Sequence, residues 1–249
     1  IFTERSSIGI KRKKGSFFIK NNQIGFLDLD LNTDNRGLIF DIFIELGKRK
    51  KINEINSQSI STLKRSNKLI NNSFKKDRLI SKKFIQILKS EQNLSSILRT
   101  MKNVGVLQSY IPDFAEIVGQ MQFDLFHIFT VDEHTFKVVR NMRQMKINYS
   151  DEFRLENELI KKIPKIEILY IAGLFHDLGK GKGGNHSEIG AKISRDFAKR
   201  LGLSLADSDL ISWLVLHHLK MSSISQRQDI SDTKTISEFA DIVLNTERL

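Results

Sequence analysis

Residues 166–190, IEILYIAGLFHDLGKGKGGNHSEIG, decide how this chain is read. Ile166 to Phe175 are apolar at nearly every position, which predicts a helix buried on several sides, with Pro164 placed to start it. That helix closes on adjacent His176 and Asp177, and a glycine-rich stretch then leads to His186. Neutral imidazole beside a carboxylate is a donor set that divalent transition metals take. A lone His-Asp pair means little, because histidine is often partly buried with no ligand role. Here, however, only six histidines occur, and His134, His186, His217 and His218 can all join the pair. The sixth, His127, precedes the helix that carries His134 and reads as structural.

Composition limits the alternatives. With 249 residues, 40% hydrophobic and 28% charged, the chain can hold one large domain or two small ones. It has no cysteine, which excludes a disulfide framework, thiolate metal ligands and a cysteine nucleophile, and fits a cytoplasmic protein. No apolar run approaches the roughly 20 residues that cross a bilayer, so no membrane partner is expected. The chain begins with Ile rather than Met, and it is read as a piece of a longer protein. The net charge of +11 is concentrated in basic runs at residues 11–14, 48–51 and 64–83. No aromatics interleave them as a base-stacking surface requires, so solvated basic faces are the simpler reading and no nucleic acid is expected.

The first 37 residues look irregular apart from a hairpin, with apolar stretches at 16–20 and 24–27 around the turn-forming Asn21-Asn22-Gln23. Residues 38–46 read as a helix, 48–51 begin a charged connector, and helical spacing returns from 57 to 98. Tyr110-Ile111-Pro112-Asp113 marks the boundary, dividing the chain into residues 1–109 and 110–249. Beyond it, Thr130 and Glu133 form a capping box that opens a helix to about Met145. Its stripe is Val131, His134, Val138, Met142 and Met145, which points His134 inward. Asn185 with Glu188 caps a helix bearing Ile189, Ile193, Phe197 and Leu201, and Gly202 ends it. Ser204 with Asp207 caps the next, which carries Leu210, Ile211, Leu214 and Val215. His217 and His218 follow three and four residues after Leu214 and are expected on its face. A last helix is expected over 236–244.

Several helices thus aim histidines at His176-Asp177, as rigid metal ligation requires. Asp177 is the natural bridging ligand for two ions, because its two oxygens can touch both. Ions about 3.5–4 Å apart can activate a bridging water and clamp a phosphate. Lys180, one turn past His176, can neutralise developing phosphate charge or simply complement a helix end. The loop at 179–184 lacks the spacing of a Walker A loop. Asp28 and Asp30 form a D-x-D pair best read as a solvated turn, and no serine sits in a nucleophile elbow.

The order H…HD…H…HH resembles the HD-domain metal-dependent phosphohydrolases. From residue 111 onward the resemblance narrows. IVGQMQFDLFHIFTVDEHT, LYIAGLFHDLGKGKGGNHSEIGA and WLVLHHLKMSSISQRQDISD look like the HD domain of the bifunctional protein-PII uridylyltransferase/uridylyl-removing family. DRLISKKFIQILKS and MKNVGVLQSYIPDF are similar to the helical segment preceding that domain. The resemblance implies an all-α fold, an HD helical bundle at 110–249 preceded by a smaller helical segment at 1–109 with a short hairpin. It implies divalent metal, Mn2+, Mg2+ or Fe2+ and up to two ions, held by His134, His176, Asp177, His186, His217 and His218. Asp177 and Lys180 would then carry the catalysis.

The implied reaction is removal of UMP from the modified PII signalling protein, so PII and its UMP-modified form are the implied partners in nitrogen regulation. The nucleotidyltransferase and glutamine-sensing domains of that family are not recognisable here. Two departures stand out. Asn185 replaces an acidic residue, and HD sites end in a distal Asp, expected beyond Leu249, with Asp241 the only well-placed acid in the last helix. The alternatives are an HD phosphohydrolase acting on a free nucleotide, or a non-catalytic module binding PII or nucleic acid.

Overall fold

The computed structural model describes residues 12–90, 92–121, 129–147 and 151–249. His127 lies outside them. The chain divides into two compact units, Ile1–Tyr110 and Ile111–Leu249. No helix of the described residues is long and apolar enough to cross a membrane.

The first unit opens with strands β1 (Arg12–Lys14), β2 (Phe17–Lys20) and β3 (Gln23–Phe26). β2 and β3 form the expected hairpin, with Lys20 opposite Gln23. Asn21 and Asn22 at its tip take φ of 50° and 61°. Positive φ at both central residues suits the strand twist in a two-residue turn, and asparagine tolerates it. Helix α1 (Leu38–Gly47) then crosses over to a two-residue strand, β4 (Glu54–Ile55), which pairs parallel to β3. The fold is helical, as read from sequence, yet it carries a four-stranded sheet in the order β1-β2-β3-β4. The two outer strands escaped the sequence because one is charged and the other is only two residues long. Asp28 and Asp30 are exposed, and Asp30 N–H donates to the Asp28 carboxylate at 2.9 Å, a local turn.

The remaining helices of this unit are α2 (Ser57–Ser66), α3 (Asn72–Lys76), α4 (Arg78–Leu88), α5 (Leu94–Asn103) and α6 (Val106–Tyr110). Asn56, Asn71 and Asp77 cap three of them, each side chain accepting from a backbone N–H of the first turn. Phe40 of α1 is fully buried at the centre of an aromatic cluster. The rings of Phe74 and Tyr110 meet it edge-on at 5.4 and 4.9 Å, and Phe84 lies at 6.1 Å.

The second unit holds α7 (Pro112–Ala115), α8 (Val131–Ile147), α9 (Arg154–Lys162) and α10 (Ile166–Phe175), then α11 (His186–Leu201), α12 (Leu205–Leu216), α13 (Lys220–Arg227) and α14 (Thr233–Val243). α10 is the central helix. It packs on α8, α11 and α12, so nine of its ten residues are buried. Lys165 caps α10, so the helix starts two residues after Pro164 rather than at it. The caps at Asn185, Gly202 and Ser204 form as expected: Ser187 N–H donates to Asn185, Gly202 takes φ of 82°, and Asp207 N–H donates to Ser204. The buried face of α11 is small rather than bulky: Gly190, Ala191, Ser194 and Ala198 join Phe197 and Leu201. A Cβ at Gly190 would lie 3.1 Å from Val215 and 3.3 Å from the Phe175 carbonyl. That small face lets α11 lie close to α12 and the end of α10. α13 was not anticipated, and it buries none of its residues.

The aromatic cluster fixes the expected cost of its central side chain. Phe40→Ala leaves a cavity that the surrounding rigid rings cannot fill, so it should destabilise the first unit by about 3–5 kcal/mol. A fall in the urea midpoint at unchanged slope checks this.

Candidate metal centre

α10 presents its carboxyl end to the site. His176 is its C-cap, Asp177 leaves the helix at φ −110°, and a tight 3-10 turn (Leu178–Lys182) follows. A helix end has free carbonyls, and His176 uses one: its Nδ1 lies 2.8 Å from the Gly173 carbonyl. His218 repeats the device at the end of α12, with Nδ1 2.7 Å from the Val215 carbonyl. A carbonyl accepts only, so each Nδ1 carries the proton and each Nε2 is directed into the site.

The Nε2 atoms converge on one carboxylate. His176 Nε2 lies 3.1 Å and His134 Nε2 3.8 Å from Asp177 Oδ2. His218 Nε2 lies 3.7 Å and His186 Nε2 3.9 Å from Asp177 Oδ1. Two trios result, His134–His176–Asp177 and Asp177–His186–His218, with Asp177 common to both. Two ligands on one ion, with bonds of about 2.0–2.2 Å, can lie at most about 4.4 Å apart. All four distances fall inside that limit. Adjacent rings stand 5.2–5.4 Å apart in the order His134, His176, His218, His186.

The donor atoms themselves test the fit. Asp177 Oδ1, His186 Nε2 and His218 Nε2 are buried with no hydrogen-bond partner. Leaving such atoms unmatched costs about 1–3 kcal/mol each. An acceptor nitrogen facing a carboxylate oxygen also needs positive charge between them, so a cation suits this geometry. Burial tends to raise the Asp177 carboxyl, but hydrogen bonds and charge from His176, then Lys180, outweigh it and hold it far below the usual carboxylate range. Lys180 Nζ donates to Asp177 Oδ2 at 2.9 Å. Burial lowers the His186 imidazole and pushes His218 down to about 4, so both are neutral lone-pair donors at pH 7.

His134 sits differently from its expected stripe. The buried face of α8 is Val131, Asp132, Thr135, Phe136 and Val139, which leaves His134 31% exposed at its edge. Val138 and Met142 do face α10, across Gly173, where a Cβ would lie 2.8 Å from the Met142 sulfur. His217 lies apart from the four. It does not share the face of His218, because α12 stops at Leu216 and successive residues at the helix end diverge. Its ring instead packs on Trp213 at 4.5 Å, and neither trio includes it. Asp241 is exposed on α14 and likewise belongs to neither trio among the described residues. The carbonyls of Gly173 and Val215 had no signal in the sequence. Gly179 had one, as a glycine beside the motif: a Cβ there would lie 2.1 Å from the backbone oxygen of His186.

The chain is similar to known proteins along most of its length. Residues 131–246 match the HD domain family, and residues 17–110 match the family described as uridylyltransferase GlnD third domain. The bifunctional uridylyltransferase/uridylyl-removing enzyme of Ectopseudomonas mendocina is 43% identical over 206 residues, 82% of this chain and 23% of that protein. The enzyme of the same name from Nitrosococcus oceani is 41% identical over 212 residues, 85% of this chain and 24% of that protein. The one from Chromobacterium violaceum is 38% identical over 234 residues, 94% of this chain and 27% of that protein. The chain therefore spans about a quarter of the length of these relatives.

Two outcomes follow from the geometry. Gly179→Ala must push the His186 backbone away, since the clash is with main chain, and should weaken Mn2+ binding about 10- to 100-fold, as displaced ligand geometry does. Isothermal titration against the parent protein measures it. The second concerns acid. The folded pKa of His218 lies near 4, below the 6.5 of the free side chain, so the unfolded chain takes up its proton first. Stability of the metal-free protein should therefore be level in this term above about pH 6.5 and fall between 6.5 and 4. His218→Gln should flatten that part of a urea-midpoint profile.

Proposed function

We infer, since this chain belongs to the family of bifunctional uridylyltransferase/uridylyl-removing enzymes, that its HD unit hydrolyses the phosphodiester joining UMP to the PII signalling protein. One observation carries the reading. The buried Asp177 carboxylate heads two separate imidazole pairs, with three donor atoms lacking any partner. His134 and His176 with Oδ2, and His186 and His218 with Oδ1, would each hold a divalent ion. Four imidazoles against one carboxylate favour Mn2+ or Fe2+ over Mg2+, which prefers oxygen donors. Such ions supply Lewis-acid polarisation of a phosphoryl oxygen and ready deprotonation of a water.

The chain's own residues do the rest. Asp177, ionised throughout the working pH range, supplies the negative charge that holds the cations together. The Gly173 and Val215 carbonyls keep His176 and His218 in one tautomer and orientation. Lys180 sits on the same oxygen as His176 and can move its ammonium onto a phosphate oxygen as negative charge develops there. In the reaction water oxygen bonds to phosphorus, the bond from phosphorus to the PII side-chain oxygen breaks, and a water proton ends on that oxygen. UMP and unmodified PII leave.

Asp177→Asn keeps the side-chain shape and removes the charge, so it should abolish UMP release while leaving PII binding near parental. Lys180→Ala should slow turnover less, by about 10²-fold, as loss of one charge-stabilising contact does. The assay is UMP release from modified PII by the full-length protein in Mn2+. An Asp177→Asn protein that works at the parental rate would overturn the assignment.

A further inference from the structure

The helix that carries His134 and the turn that follows Asp177 come from distant parts of the second unit, and one segment touches both. The Gln120 backbone carbonyl accepts from Val131 N–H at 2.9 Å, at the start of the helix that carries His134. Gly119 N–H donates to the buried Asp132 carboxylate of the same first turn at 3.2 Å. Met121 and Thr130 form an isolated antiparallel bridge alongside. On the other side, Gln120 Nε2 donates to the Lys180 carbonyl at 3.3 Å, inside the 3-10 turn that leaves Asp177.

The same turn is held a second time. Lys182 Nζ lies 3.0 Å from Asp113 Oδ1 and 2.8 Å from Glu116 Oε1, so two carboxylates of the segment converge on one ammonium. Gly181 permits the approach, because a Cβ there would lie 2.8 Å from the Glu116 Cβ. All three charged groups are about one-third or more exposed, so the contacts add at most about 1 kcal/mol of stability. Three carboxylate and amide contacts on one short turn make sense as placement rather than as stability.

We propose that residues 112–120 form a brace that sets the spacing between His134 and the His176-Asp177 corner, with Gln120 and Lys182 as positioning residues for the metal centre. Neither touches the proposed ions. Each acts through the 3-10 turn, which fixes how Lys180 and Asp177 leave α10, and through the first turn of α8. The proposal rests on the metal-centre reading above. It assigns the brace first to the His134–His176 half, because the segment holds the first turn of α8 directly and reaches the His186–His218 half only through the 3-10 turn, which packs on the His186 backbone at Gly179.

Co2+ titration of the chain tests it, following the visible absorption of each bound ion. The parent should take two ions. Lys182→Met and Gln120→Ala should each weaken one of them about 10-fold, as loss of an outer-sphere contact does, and the other clearly less. Lys182→Arg should restore the first. The melting temperature of the metal-free variants should match the parent, which separates placement from unfolding. Parental affinity for both ions in Lys182→Met and Gln120→Ala would overturn the brace alone. Equal weakening of both ions with a lowered melting temperature would overturn it too, as a general loss of structure. A parent protein that takes up no Co2+ would overturn the metal centre and the brace together.

Discussion

The centre of the second unit is arranged around one buried negative charge. Asp177 is only 2% exposed, and an isolated carboxylate in that position would be protonated or would destabilise the fold. His176 and Lys180 keep it ionised from one side, while two neutral imidazoles face its other oxygen. The surrounding helices are placed to serve this charge. α10 ends there, α11 starts there, α12 ends there, and the first turn of α8 reaches in from the side. Their close packing uses glycine at Gly173 and Gly190, where a Cβ would be tight, and at Gly179, where it would run into the His186 backbone.

Much of this was legible in the residues. α10 announced itself by being apolar all round, and the caps at Asn185 and Ser204 set where His186 and His218 would fall relative to their helices. The Asn21-Asn22 turn was equally readable, because few residues tolerate positive φ twice in succession. All three are local signals.

What was not legible depends on tertiary placement. His217 and His218 are both one turn from Leu214, and only the exact end of α12 decides which enters the site. Helix ends are the least certain feature of any sequence. His134 lay on a plausible inward stripe, and Val138 and Met142 of that stripe do meet α10, yet the fully buried face of α8 is rotated from it, which leaves His134 at the rim. β4 is too short to carry a periodicity, and its partner β3 is reached only across α1. The hold of Asp113, Glu116 and Gln120 on the turn after Asp177 spans some sixty residues of chain, and no local pattern announces contacts of that range.

The separation of the ligands along the chain has a consequence for folding order. His134 and His218 lie roughly forty residues before and after Asp177, so the trios close only after long-range loops have closed, which is a late and slow event. The corner itself, His176 through His186, can form early and still bind nothing tightly. A divalent ion is then recognised by the finished bundle rather than by any intermediate on the way to it. Interactions absent from the transition state slow unfolding without hastening folding. Bound metal should accordingly act on this unit as a latch: refolding proceeds at its own pace, and the native bundle, once closed, opens far less often.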